Sequence, residues 1–162
     1  MRMGREYGFS LIELVVVIVL TAILMTTFFP RASTKGSLTI AGQAYQLASD
    51  IRYVQSLSMT RGQRFCLNLT TGGYTLTTAS STCTSSVGVE HPTGMLLPLS
   101  LEGVSLSWTN LSNNYVIFSG VGVPFTDAAT ALAADAVITL AGDGGPKTVT
   151  VSPVTGRVVV GP

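Results

Sequence analysis

Charge is what this sequence lacks. Lysine, arginine, aspartate and glutamate together make up 10% of its 162 residues. Nine basic and eight acidic side chains leave a formal net charge of +1, so bulk charge creates no polyanion-binding surface. Histidine is almost missing as well. His91 is the one histidine, and it precedes Pro92 in a polar stretch. A lone loop histidine is expected in solvent, and no spacing motif selects a serine or aspartate as its partner. No enzyme is expected. The two cysteines, Cys66 and Cys83, lack CxxC spacing and make a poor metal site. Asp143-Gly144-Gly145 lacks the regularly spaced oxygen ligands of a calcium loop. Gly120 and Gly122 lack the context of a dinucleotide-binding turn. Neither a metal nor a cofactor is expected, and there is no internal repeat or long disordered linker.

What the sequence does have is one long apolar run. Phe9 to Phe29 spans 21 residues, and Glu13 is its only charge. At a rise of about 1.5 Å per residue this makes about 31 Å of helix, the thickness of a bilayer's hydrocarbon core. A carboxylate inside such a segment is costly and is by default functional, with a partner to be found. Arg2 and Arg5 against Glu6 leave the preceding residues basic, which predicts a cytoplasmic N-terminus and a domain across the membrane. A secretory signal peptide carries its small-residue cleavage site after the apolar run. Here the small residue, Gly8, comes before it.

Beyond Pro30 the chain reads as a continuing helix. Ile40, Ala44, Leu47, Ile51 and Val54 recur at helical spacing, while Gln43, Asp50 and Arg52 are read as facing solvent. Gly62 after Arg61 predicts the C-terminal cap, and a bend is expected near Pro30. From Gln63 the pattern changes to strands. Arg64–Leu69 and Tyr74–Ala79 read as a hairpin. Val104–Trp108, Tyr115–Ser119, Val137–Leu140, Lys147–Val151 and Arg157–Val160 follow, with Gly120–Ala134 as a long loop. About seven antiparallel strands after one helix predict an α+β fold. Trp108 is expected in its core. The expected organisation is a leader at 1–8, a membrane helix at 9–29, its amphipathic continuation at 30–62 and a β domain at 63–162.

The run Gly8-Phe9-Ser10-Leu11-Ile12-Glu13 resembles the class III leader of type IV pilins and type II secretion pseudopilins. The resemblance implies that prepilin peptidase cleaves after Gly8 and methylates Phe9. It also implies that Glu13, the fifth mature residue, pairs with a neighbouring subunit's N-terminus during filament assembly. Pro30 sits where many pilins bend. Such a fold is a long N-terminal helix packed on an antiparallel sheet or sandwich. Asp50–Leu57, Thr60-Arg61-Gly62, Tyr115–Phe118 and Thr155-Gly156-Arg157-Val158 resemble the GspH/FimT branch of this superfamily. Members of that branch are minor pseudopilins of type II secretion or minor pilins of type IV pili, some of which bind DNA during uptake. The main expectation is a type II pseudopilin; a type IV minor pilin and a membrane-anchored protein unrelated to filaments are the alternatives. Implied partners are other pilins, prepilin peptidase, inner-membrane lipid and the inner-membrane assembly platform. DNA-binding members carry a Gly-Arg-x-Arg pattern. Here Gly156 and Arg157 are followed by Val158 and then Val159 in place of the second arginine. One arginine supplies only a weak DNA contact, so DNA binding is the minority reading. An extracytoplasmic β domain permits a Cys66–Cys83 disulfide; two buried thiols are the alternative.

Overall fold

The computed structural model describes residues 11–28, 32–79, 83, 87–91, 94 and 99–162, with the side chains of 22–28 and 32–39 outside that description. Two helices come first, α1 at Leu11–Phe28 and α2 at Ala32–Arg61. The expected bend at Pro30 falls between them, outside the described residues, as do Gly8 and Phe9.

The sequence explains α2 directly. Ile40, Ala44, Leu47, Ala48, Ile51 and Val54 are all buried, one continuous apolar face at spacings of three and four. Arg61 lies in the last turn and Gly62 has a φ of 62°, the left-handed backbone that closes a helix. Asp50 departs from its expected place in solvent: it is 4% exposed.

Nine strands follow among the described residues, forming two antiparallel sheets. The first sheet contains β1 (Phe65–Thr70), β2 (Gly73–Thr78), β3 (Leu99–Ser100), β5 (Tyr115–Phe118) and β6 (Pro124–Phe125), in the order β3-β2-β1-β5-β6. The second contains β4 (Val104–Thr109), β7 (Ala136–Gly142), β8 (Lys147–Val151) and β9 (Val158–Gly161), in the order β4-β7-β8-β9. β1 and β2 form the expected hairpin, with Thr70 opposite Gly73. β4 and β5 do not pair with each other. The connection Thr109–Asn114 crosses between sheets, so that β4 pairs with β7 and β5 with β1. The expected long loop at 120–134 holds β6 and a bridge from Phe125 to Ala131.

α2 packs against β1 and β5 of the first sheet and against β7, β8 and β9 of the second. One apolar core fills the space between them, including Leu47, Ile51, Phe65, Leu76, Phe118, Ile138 and Val149. Trp108 is half-buried at its margin. Cys66 and Cys83 are disulfide-bonded with an S–S distance of 2.01 Å. The bridge sits in a small second core with Ile117 and fixes the segment after β2 to β1.

Candidate assembly surfaces and the buried polar centre

α1 is apolar on every side. Leu11, Ile12, Leu14, Val15, Val16, Val17, Ile18, Val19 and Leu20 are each between 48% and 80% exposed in the isolated chain. A helix that is apolar all round is stable only when lipid or other protein encloses it. Glu13 lies in its first turn, where the helix dipole favours a negative charge. Among the described residues no ion pair reaches that carboxylate. The 18 residues of α1 rise about 27 Å, a little under a hydrocarbon core. Among the described residues no helix is long and apolar enough to cross a membrane.

The β domain holds a polar centre that the sequence did not reveal. Asp50, on α2, accepts a hydrogen bond from the Tyr74 hydroxyl at 2.5 Å on Oδ2. His91 Nε2 lies 2.9 Å from its other oxygen, Oδ1. Both carboxylate oxygens are thus occupied, which is what makes a carboxylate tolerable at this depth. His91 is 4% exposed, opposite to the expectation for a loop histidine. Burial, then the hydrogen bond to Asp50, then its charge hold the Tyr74 hydroxyl above the ordinary phenol range. The three residues join α2, β2 and the segment beyond the disulfide. Further along α2, Ser58 is also buried and donates its hydroxyl to Val54 O at 2.8 Å. Among the described residues no cluster of histidine, cysteine, aspartate and glutamate could hold a metal. A cleft of about 710 Å³ opens beside His91, lined by Tyr53, Arg61, Glu90 and residues 87–89.

Arg157 is exposed on the turn before β9. Arg61 lies over the Phe65 ring at 5.8 Å, and Arg64 lies over Phe125 at 5.1 Å and donates to Ala128 O. Arg52 reaches the closing strand, donating from Nη2 to Val158 O at 2.8 Å.

The model of the prokaryotic N-terminal methylation motif matches residues 3–29, the segment that holds Gly8, Phe9 and Glu13. The model of type II transport protein GspH matches residues 43–156, most of the chain, from within α2 to the turn before β9. The chain belongs to the GspH family. Proteins of this family and fold are pilin-like structural subunits, and this GspH-family chain carries their methylation motif. Two crystal structures of the type IV minor pilin FimU of Pseudomonas aeruginosa PAO1 share the fold. One aligns with a TM-score of 0.58 at 10% identity, covering 76% of this chain and 88% of that one. The other has a TM-score of 0.53 at 12% identity, covering 75% and 92%. At such identity the likeness concerns the fold alone. No curated protein sequence matches.

Proposed function

We propose that this GspH-family chain is a minor pseudopilin of a type II secretion system. Prepilin peptidase cleaves it after Gly8 and methylates Phe9. The apolar helix then anchors the subunit in the bacterial inner membrane, with the N-terminus cytoplasmic and the β domain in the periplasm. An assembly platform in that membrane moves it into a filament, where α1 packs among the helices of other pilin-like subunits.

One observation carries the reading: a methylation motif and a GspH domain stand in order on one chain, and the motif's segment forms an apolar helix with one carboxylate. Enclosing Glu13 without a counter-charge costs several kcal/mol, roughly the effective penalty for a buried ion. A neighbouring subunit's N-terminal ammonium would remove that cost at one axial position only. Glu13 therefore sets register.

Intact mass and N-terminal sequencing from membranes, with and without prepilin peptidase, test this. A mature chain starting at methylated Phe9 only when the peptidase is present is the expected result. An uncut chain starting at Met1 in both strains removes the filament reading. Glu13→Ala keeps insertion and cleavage but loses incorporation; normal incorporation refutes the register role. The FimU-like fold favours a second reading, a minor pilin of a type IV pilus. Co-purification with secretion or with pilus components separates the two.

A further inference from the structure

Three exposed apolar side chains stand on segments that meet near the C-terminal end of α2 and are tied together by one amide. Gln55 donates from Nε2 to Gly122 O at 2.9 Å and to Thr155 O at 2.9 Å. The loop at 119–123 and the turn at 152–157 are thereby fastened to the helix. Met59, one helical turn further on, closes the same junction: a Cβ built on Gly122 would stand 2.8 Å from its Sδ. A Cβ on Gly156 would meet Gly122 O at 3.1 Å, so the two loops touch. Around this junction Val121 is 80% exposed, Val154 is 73% exposed and Met59 is 50% exposed. A single exposed valine needs no explanation, but several apolar groups on one junction mark an interaction site.

The backbone of Val154 adds an independent observation. Its φ is 65°, a left-handed conformation that is a steric outlier for a β-branched residue. The turn enforces it: Ser152 N donates to Arg157 O, Gly156 N to Ser152 O and Thr155 N to Pro153 O. Glycine would fit this backbone without the steric cost. The turn instead holds a branched apolar side chain out in water. Strain of this kind, over-determined by its surroundings, clusters at recognition sites.

The rim supplies the chemistry of the partner. Arg52, Gln55 and Met59 share one face of α2 at spacings of three and four. Arg157 follows Gly156 on the adjoining turn. Among the described residues neither Arg52 nor Arg157 has a carboxylate within ion-pair distance. The junction is therefore apolar at its centre and cationic at its edge, with no local counter-charge. Its exposed side chains include no aromatic on which bases could stack, and two guanidinium groups are few for a phosphate-tracking site.

We propose that Met59, Val121 and Val154, rimmed by Arg52 and Arg157, form a docking surface for a second pilin-like subunit that presents an apolar patch edged by carboxylates. The inference rests on the filament reading above. The surface lies about 40 Å along the helix from Ala32 and is separate from α1. It therefore contacts a neighbouring β domain, whereas α1 contacts neighbouring helices.

The test uses the full chain in cells that assemble the filament. A photo-crosslinking residue is placed at position 154, and Val121→Asp, Val154→Asp, Val154→Gly and Arg157→Glu are made in parallel. The expected crosslink joins position 154 to another leader-cleaved subunit, identified by mass spectrometry. Val121→Asp and Val154→Asp lower incorporation about tenfold, as burying a charge in an interface centre should. Val154→Gly gives a Tm equal to or above the parent's and still lowers incorporation, a split that a purely structural role does not produce. Unchanged incorporation with no crosslink to a subunit overturns the inference and leaves the filament reading standing, provided Glu13→Ala still blocks incorporation. A crosslink to DNA, with Arg157→Glu weakening low-salt DNA binding and leaving incorporation intact, overturns it in favour of nucleic acid. A parent chain that never enters a filament overturns both readings together.

Discussion

Tyr74→Phe removes one oxygen from the buried polar centre and keeps the packing. Tyr74 is fully buried, and its hydroxyl donates to an Asp50 carboxylate that is itself 4% exposed. The phenyl ring stays in place, so the cavity left is about one atom in size. What is lost is a hydrogen bond to a charged acceptor, about 1.5–3 kcal/mol, and Asp50 Oδ2 is left without that donor. A loss near 2 kcal/mol lowers Tm by roughly 6–10 °C for a domain of this size. The pH dependence gives a second, independent readout. The Tyr74 hydroxyl is held above its ordinary range in the fold, while the unfolded chain ionises near the usual value of about 10. Above that value the unfolded state binds fewer protons than the folded one, so stability falls as pH rises. This contribution is whole below about pH 10 and declines above it, by at most about 1.4 kcal/mol per pH unit. Phenylalanine abolishes it. Circular dichroism melts of the full chain in detergent between pH 7 and 11 measure both effects. A Tm drop under about 2 °C at pH 7, with the parent's alkaline slope intact in Tyr74→Phe, refutes the reasoning.

Two further predictions concern fastenings in the β domain. Gln55→Ala strips one donor from both Gly122 O and Thr155 O and is expected to cost about 2 kcal/mol in denaturant unfolding. A loss below about 0.5 kcal/mol would mean that water replaces the amide at both carbonyls. Replacing Cys66 and Cys83 together by serine opens a loop with a sequence separation of 17 and is expected to cost about 3 kcal/mol by loop entropy. Equal unfolding midpoints for the serine pair and the parent contradict that estimate.

The parts of the fold legible in the sequence are those specified locally. The α2 face from Ile40 to Val54, its cap at Gly62 and the β1–β2 hairpin each follow from spacing and turn chemistry within a few residues. The two-sheet division was not legible. Thr109–Asn114 has the composition of a hairpin turn, and nothing in it distinguishes a return from a crossing between sheets. Two-residue strands such as β3 and β6 offer no periodicity to read. For the polar centre half of a signal existed. Asp50 stands three residues after Leu47 and four before Val54, on the buried face of α2, and a carboxylate there demands donors. The donors come from Tyr74 and His91, which are 24 and 41 residues away, and no local pattern announces them.

The same demand separates two helix-borne carboxylates, Asp50 and Glu13. Asp50 sits in an apolar setting and is satisfied inside the domain, one donor to each oxygen. Its energetics are therefore those of a single folded chain and are tested by melting. Glu13 sits in an apolar helix with no ion-pair partner among the described residues. While α1 stands exposed the carboxylate carries little penalty. Once lipid or neighbouring helices enclose it, the cost of an unpaired charge appears, and only a donor at the right height removes it. Mutating Asp50 should therefore register in the stability of the monomer. Mutating Glu13 should register in assembly and leave the melting of the β domain unchanged. A Glu13→Ala chain that melted several degrees lower would place the carboxylate's partner within the chain itself and remove the need for a neighbour.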